Sequence, residues 1–246
     1  MRTLTVMNEK GGVGKTTIAA HAAWYFAEKY RTLVLDLDVQ GNLTTTLGAY
    51  VGTTESVRLF TEVTRVPVNG HLTATRSTRT LQEVEGADRS CIEIFRDSLA
   101  AMTNDYEICI IDTPPALTNR TYGALLAADA VIAPIGINDY SIQGVAELLR
   151  AIRGVSTFYK RAEPKFLGLL PSIYDSKSPR ERAMIESLIE QIGKLVFPAI
   201  ITKRDAYAIA ATTGEPVWHA KTRAGREAGR EMRQVLEIVA QRMELV

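Results

Sequence analysis

A glycine-rich and cationic turn near the amino terminus is the part of the sequence best suited to chemistry. Residues 7–17 read MNEKGGVGKTT and follow the apolar run at residues 4–6. Glycines let successive backbone N–H groups converge on one phosphate, and a helix that begins near Lys15 adds the positive end of its dipole. Lys15 would then contact the β and γ phosphates, and the Thr16 hydroxyl can bind Mg²⁺. The turn therefore predicts a phosphate-binding loop.

The turn departs from the strict P-loop pattern G-x-x-x-x-G-K-[ST]. That pattern places a glycine five residues before Gly14, where this sequence has Glu9. A glycine-rich turn with incidental lysines is the alternative interpretation, and two acidic segments further along the chain argue against it. We therefore predict a variant P-loop. Its predicted nucleotide-binding residues are Gly11, Gly12, Val13, Gly14, Lys15, Thr16 and Thr17.

Acidic residues follow two other apolar runs. Asp36 and Asp38 lie at the end of the run at residues 33–37, and Asp112 follows the run at residues 108–111. Ligands of open α/β sheets bind at the carboxyl ends of the strands. Because side chains alternate along a strand, Asp36 and Asp38 would face the same way if the strand extended that far. Each acid could instead be structural and cap a helix, but their combination with the glycine-rich turn favours a nucleotide site.

Short apolar runs alternate with helix-like segments along the chain. Runs that are buried on both faces and separated by about a dozen or more residues are typical of a parallel sheet with crossover helices. The sequence therefore predicts an α/β fold with a doubly wound, mostly parallel sheet and helices on both of its faces. The predicted strands are residues 4–7, 33–37, 108–111, 130–135, 166–170 and 196–201.

Two of the intervening segments have helical patterns. Residues 17–30 place apolar side chains at helical spacing, and residues 179–192 begin with a proline, which the first turn of a helix tolerates. Residues 50–89 are rich in Thr and Arg and are predicted as loop with some helix. The sequence contains neither an internal repeat nor a Gly/Ser linker, so we predict one domain that spans residues 1–246.

Composition and charge narrow the classes of function. Hydrophobic residues make up 46% and charged residues 23% of the chain, as is ordinary for a globular protein. The formal net charge of +1 gives no global attraction to nucleic acid or membrane. The two cysteines, Cys91 and Cys109, are too few for a disulfide framework or a zinc site. The sequence offers neither a membrane-spanning run nor a signal peptide, which predicts a cytoplasmic protein.

Together these segments resemble the deviant Walker-type ATPases of the ParA/MinD group. Residues 10–17, KGGVGKTT, are similar to the KGGxGKT signature of that family, residues 36–42 to its DxDPQGN segment and residues 112–115 to its DTPP switch. Val39 stands where the family usually has proline. The likeness spans most of the chain. It implies an ATPase that uses ATP with Mg²⁺ and hydrolyses it slowly until a partner stimulates it.

The resemblance also implies roles for single residues. Lys10 would be the signature lysine, which reaches across a homodimer to the phosphates bound by the partner subunit, so that ATP joins two copies. A second cation near the γ phosphate would stabilise the charge of the transition state, as an arginine finger does. Asp38 would orient the attacking water, and Asp112 would lie on the Mg²⁺ side together with Thr16. The predicted catalytic residues are Lys10, Lys15 and Asp38.

Accessory features distinguish the members of this group. A reductase related to the nitrogenase iron protein needs paired cysteines at a cluster, whereas Cys109 lies inside a predicted strand. A MinD-type protein needs an amphipathic membrane helix at its carboxyl end. Residues 229–246 are amphipathic, but their charges are mixed. This favours a final helix that packs on its own sheet, with no membrane partner.

A basic stretch near the carboxyl end points to nucleic acid. Residues 221–233 carry five basic and two acidic side chains, and residues 203–204 are also basic. In ParA-type proteins the corresponding residues bind DNA phosphates without reading sequence, and such binding weakens steeply with salt. A solvated helix face with internal ion pairs is the alternative. The predicted DNA-binding residues are Lys203, Arg204, Lys221, Arg223, Arg226 and Arg230.

The sequence as a whole predicts an ATP-dependent, dimerising ATPase that binds nonspecific DNA in the nucleoid and drives plasmid or chromosome partition. A centromere-binding or adaptor protein is the expected partner that stimulates hydrolysis. No helix-turn-helix domain is expected before the P-loop. The alternatives are an ATPase of the same mechanism that positions a protein cargo, a MinD-type regulator at the membrane, and a nucleotide-gated binding module whose turnover is incidental.

Overall fold

A single parallel sheet organises the protein. The computed structural model describes residues 1–137 and 141–245. Within these residues seven strands follow the order β3-β4-β2-β5-β1-β6-β7, and all neighbouring strands are parallel. The strands are β1 (Arg2–Val6), β2 (Thr32–Asp36), β3 (Val51–Glu55), β4 (Leu72–Arg76), β5 (Ile108–Asp112), β6 (Ala130–Gly136) and β7 (Lys165–Ser172).

Helices connect the strands. The α-helices of the described residues are α1 (Lys15–Ala27), α2 (Asn42–Thr46), α3 (Arg58–Thr61), α4 (Ser90–Ala100), α5 (Asn119–Ala127), α6 (Ile142–Phe158), α7 (Pro179–Ile192), α8 (Asp205–Thr213) and α9 (Arg223–Arg242). Short 3-10 turns occupy Gly48–Tyr50, Arg79–Gly86, Gly193–Leu195 and Val217–His219.

Both faces of the sheet are buried, because successive side chains of each strand point to opposite faces. Leu4 and Val6 of β1 belong to a core that they share with α1, α8 and α9. Leu33 and Leu35 of β2 belong to a second core, with α4, α5, α6 and α7. The predicted α/β fold, a parallel sheet with helices on both faces, is therefore confirmed.

The predicted helices are found with small shifts at their ends. Residues 179–192 form α7 as predicted, and the Ser178 hydroxyl caps this helix by accepting a hydrogen bond from the Glu181 N–H. The helix predicted at residues 17–30 is α1, which begins two residues earlier, at Lys15. The carboxyl-terminal helix, α9, buries its apolar side in the first core, so it packs on its own sheet as expected. None of the helices in the described residues is both long and apolar enough to cross a bilayer.

The predicted strand at residues 196–201 is wrong. This segment runs beside β7 and makes one isolated bridge, between Leu169 and Val196. The Phe197 N–H donates to the Leu169 carbonyl, but Pro198 has no N–H with which to continue a ladder. The segment therefore remains an irregular edge of the sheet.

Residues 50–89 hold two strands that the sequence analysis missed. The strands β3 and β4 lie at one edge of the sheet, and β4 reads LTATR. Thr73 and Thr75 are fully buried, as are the apolar residues Leu72 and Ala74 that alternate with them. Threonine favours strands because its side chain is branched at Cβ, but its polarity hides a buried strand from a search for apolar runs.

Gly168 is the residue of β7 at which the backbone leaves ordinary strand geometry. Its φ angle is +131°, and a Cβ atom there would lie 3.0 Å from both the Leu195 carbonyl oxygen and the Phe197 nitrogen. Both contacts are to backbone atoms, which cannot move aside as a flexible side chain can. The close approach of the irregular edge segment to β7 therefore requires glycine at this position.

We expect Gly168→Ala to lower the free energy of unfolding by about 2 kcal/mol or more, because strained backbone and overlap add. Urea denaturation measures this change. Gly154→Ala is the control, because Gly154 lies within α6 and a Cβ there meets nothing within 4 Å. That substitution should stabilise the protein by up to about 1 kcal/mol. Equal urea midpoints for the two variants would contradict this account of Gly168.

Candidate active site

The register of the central strands places the glycine-rich loop and the acidic segments together at the carboxyl ends of these strands. Asp112, the last residue of β5, is paired with Val6 of β1 on one side and with Asp36 of β2 on the other. The residues that follow these three strand ends therefore start side by side. Ligands of parallel α/β sheets bind at these carboxyl ends, where the sequence analysis placed the site.

The glycine-rich loop has the backbone that its sequence suggests. Gly12 and Gly14 have φ angles of +73° and +90°, in the region where glycine is favoured, and Gly14 stands at the amino end of α1. The loop is also anchored from β7, because the Ser172 hydroxyl donates to the Val13 carbonyl over 2.5 Å. Ser172 was not predicted as a site residue, since it is an isolated serine 159 positions away from Val13.

Lys15 lies inside the loop. It is only 7% exposed, and its ammonium donates a hydrogen bond of 2.8 Å to the Lys10 carbonyl. Burial lowers the pKa of Lys15, while the nearby carboxylates of Asp112 and Asp38 act in the opposite direction. A buried cation with one carbonyl ligand can accept further anionic ligands, which is what a phosphate site requires.

Thr16 and Asp112 meet beneath the loop. The Thr16 hydroxyl donates to one carboxylate oxygen of Asp112 over 2.7 Å. The other oxygen, Oδ1, is buried and has no hydrogen-bond partner within the described residues. Burial, reinforced by the neighbouring Asp36, raises the pKa of Asp112 to about 8. A hydroxyl and an unsatisfied buried carboxylate oxygen at a phosphate loop fit the oxygen ligands that Mg²⁺ prefers.

The two acids of the second segment have different surroundings, because the strand does not extend to Asp38 and the condition for them to face the same way is not met. Strand β2 ends at Asp36, which is buried. One oxygen of Asp36 accepts from the N–H and the hydroxyl of Thr44, at 2.7 and 2.8 Å, and the other accepts from the Asp38 N–H. Burial raises the pKa of Asp36 to about 6. Asp38 instead lines the cavity at the loop.

A cavity of about 400 Å³ opens from the glycine-rich loop. It continues past Asp38 and Pro115 to the segment after β7 and to α8, where Tyr207 lines it. Lys203 and Arg204, which we predicted to bind DNA, also line this cavity. The sequence carries no local signal that residues 201–211 approach the loop, because only the tertiary fold brings them there.

The predicted DNA-binding residues lie in two groups. Lys203, next to the cavity, is exposed, whereas Arg204 is partly buried and ion-paired with Glu227 at 3.0 Å and with Glu231 at 2.8 Å. The other group lies at the start of α9 and in the turn before it. It consists of the exposed residues Lys221, Arg223, Arg226 and Arg230.

Two of these arginines also make contacts within the protein. Arg223 pairs with Glu227 at 3.1 Å, although its side chain remains 89% exposed. Arg226 donates to the Lys221 carbonyl over 2.6 Å. Helix α9 thus combines features of both interpretations, a basic surface and a helix face with i,i+4 ion pairs.

Lys10 is exposed at the rim of the loop. Its N–H donates to the Asn8 side chain over 3.0 Å, and its carbonyl accepts from Lys15. The backbone of Lys10 therefore belongs to the loop, while its side chain is exposed on the surface of the protein.

Comparisons with known proteins agree with this geometry. A family model described as an AAA domain matches residues 1–164. IncC from Escherichia coli is 34% identical over 259 residues, which cover 100% of this chain and 71% of IncC. The chromosome-partitioning ATPase Soj from Thermus thermophilus is 32% identical over 94% of each chain.

The fold also matches solved structures. The ATP complex of a McdA variant from Cyanothece superposes with a TM-score of 0.84 at 20% identity, covering 98% of this chain and 96% of that one. At this identity the likeness concerns the arrangement of helices and strands.

Proposed function

The chain belongs to the family of ParA-type partition ATPases, and from this premise we propose that it binds and hydrolyses ATP with Mg²⁺ to drive the partition of a plasmid or chromosome. In this proposal ATP joins two copies of the chain, and the dimer binds DNA without reading its sequence. Hydrolysis is slow until a centromere-binding or adaptor protein stimulates it, and it then releases the DNA.

The observation that carries this proposal is the meeting of Lys15, Thr16 and Asp112 beneath a glycine loop, next to a cavity that Asp38 lines. The loop N–H groups and Lys15 would bind the phosphates. Asp38 would orient the attacking water, as the resemblance implies. Thr16 and Asp112 would hold Mg²⁺, which supplies charge neutralisation at the phosphates. The unsatisfied oxygen of Asp112 supports this assignment.

Lys10 supports the proposed dimer. Its side chain lies at the surface beside the loop, where a second copy could approach. If Lys10 of one copy contacts the phosphates bound by the partner subunit, ATP binding and dimerisation occur together. Lys10 would also stabilise the charge that develops on the transferred phosphoryl group.

The basic surface of α9 supports DNA binding. Lys221, Arg223, Arg226 and Arg230 are all exposed at the amino-terminal part of this helix and in the turn before it. Arg204 is the weakest member of the predicted set, because Glu227 and Glu231 already neutralise it. We therefore place the main DNA contacts on α9 and expect Lys203 to contribute from the neighbouring segment.

Co-sedimentation with nonspecific DNA tests this function. We expect binding with ATP and little binding with ADP or without nucleotide. Binding by Arg226→Ala and by Arg223→Ala should be several-fold weaker, and the slope of log affinity against log salt should fall by about one for each lost phosphate contact.

Arg153→Ala is the matched control, because Arg153 is an exposed arginine on α6, whose apolar residues belong to the other core. It should leave DNA binding unchanged. Equal salt slopes for the wild type and the three variants would contradict the proposed DNA surface. DNA binding that is the same with ATP, with ADP and without nucleotide would contradict it as well. Undetectable hydrolysis by the wild type, even with its partner protein, would favour a nucleotide-gated binding module.

A further inference from the structure

The segment that carries Asp38 is held by a residue from outside the DxDPQGN-like motif at residues 36–42. The Asp38 carbonyl accepts a hydrogen bond of 2.5 Å from the Ser77 hydroxyl, across 39 positions of sequence. The Asp38 N–H donates to Asp36 over 3.2 Å, and the Gln40 N–H donates to the Asp38 carboxylate over 3.0 Å. Backbone and side chain of Asp38 are therefore both fixed.

These contacts close into a ring. The Ser77 N–H donates to the Thr44 hydroxyl over 2.9 Å, and that hydroxyl donates to Asp36 over 2.8 Å. Asp36 in turn accepts from Asp38, whose carbonyl accepts from Ser77. The ring thus joins the end of β2, the start of α2 and the residue after β4. We call Asp36, Thr44, Ser77 and Asp38 the Asp38 ring.

The members of the ring differ in their relation to the cavity. Asp38 lines it, whereas Ser77 does not. The Ser77 hydroxyl therefore reaches the lining of the cavity through its hydrogen bond to Asp38.

We propose that Ser77 is a positioning residue for hydrolysis, which holds the Asp38 backbone through the Asp38 ring so that the carboxylate meets the attacking water. This inference rests on the proposed function, in which Asp38 orients that water. A carboxylate on an irregular segment must be held close to its productive position, because small displacements of a catalytic group lower the rate steeply. Ser77 supplies this restraint from the position directly after β4, which belongs to no nucleotide motif.

Ser77→Ala tests the inference, because it removes one hydroxyl at a half-buried position and leaves the Ser77 N–H in place. We expect kcat for ATP hydrolysis to fall about three- to tenfold, the effect of one neutral hydrogen bond on a barrier. The dissociation constant for ATP should stay within about twofold, because the loop, Lys15 and Thr16 are untouched. Ser77→Thr, which keeps a hydroxyl, should recover most of the rate.

Thr80→Ala is the control. Thr80 is exposed just after Ser77, and its hydroxyl contacts that of Thr78. The Thr80→Ala protein should hydrolyse ATP at the wild-type rate. A Ser77→Ala protein with wild-type kcat would overturn the inference, and so would a fall in ATP affinity as large as the fall in kcat, which indicates general loosening of the site.

The failure of this inference is distinguishable from the failure of the proposed function. If Asp38→Ala hydrolyses ATP like the wild type, the role of Asp38 is lost and the inference falls with it. If Asp38→Ala is inactive while Ser77→Ala is fully active, the proposed function stands and only the positioning role of Ser77 is wrong.

Discussion

Replacing Lys15 with alanine is expected to abolish nucleotide binding, with a dissociation constant for ATP at least about 100-fold higher than that of the wild type. The Lys15 ammonium is buried within the loop, close to where the phosphates would lie. Removing one partner of a buried, charge-assisted contact costs about 3–5 kcal/mol, which corresponds to a factor of about 150 to several thousand. Titration calorimetry with ATP and Mg²⁺ measures the effect.

The folded state should survive this substitution, because alanine removes a buried charge together with its hydrogen bond to the Lys10 carbonyl and leaves no charged group without a partner in its place. Far-ultraviolet circular dichroism checks this point. Lys29→Ala is the matched control, since Lys29 is exposed beyond the other end of α1. A dissociation constant for Lys15→Ala within tenfold of the wild-type value would remove the phosphate loop from the proposed site.

Asp38→Ala is expected to reduce ATP hydrolysis by about 100-fold or more while ATP binding persists. Orientation and activation of a nucleophile by a positioned side chain is worth about 10²–10⁴ in rate. Binding should persist because Lys15 and Thr16 begin α1, Asp112 ends β5, and their hydrogen bonds do not involve Asp38. Since hydrolysis would no longer release the nucleotide, the ATP-bound dimer should accumulate.

Phosphate release and size-exclusion chromatography with ATP and Mg²⁺ measure the two parts of this prediction. The wild type with ADP is the reference for the dissociated state. Equal hydrolysis by the wild type and Asp38→Ala would remove Asp38 from its role. A protein that stays monomeric with saturating non-hydrolysable nucleotide and Mg²⁺ would contradict the proposed dimer, and the role of Lys10 with it.

Much of the nucleotide site could be predicted from local sequence. The glycines at 12 and 14 need a backbone that other residues avoid, and the glycine-rich loop and Asp112 both follow apolar runs that are typical of buried strands. These signals are local because each depends on the conformation of a few consecutive residues. The comparisons with IncC and Soj then agree with the family that these motifs indicate.

The separate surroundings of Asp36 and Asp38 were not predictable in this way. The sequence places them two positions apart, and the fold decides that one is buried against Thr44 while the other lines the cavity. The end of β2 at Asp36 makes the difference, since alternation stops where the strand stops. Similarly, nothing near Arg204 indicates that Glu227 and Glu231 neutralise it from another helix.

The sequence by itself determined the sheet-and-helix class, the position of the glycine-rich loop and the acids that follow apolar runs, because the spacing of apolar residues and the placement of glycines are properties of neighbouring residues. Tertiary structure alone decided that Ser172 anchors the loop, that Ser77 holds Asp38, and that β3 and β4 extend the sheet. Each of these depends on partners far apart in the chain. Contacts between such distant residues form only when the sheet has formed, so local sequence patterns do not predict them.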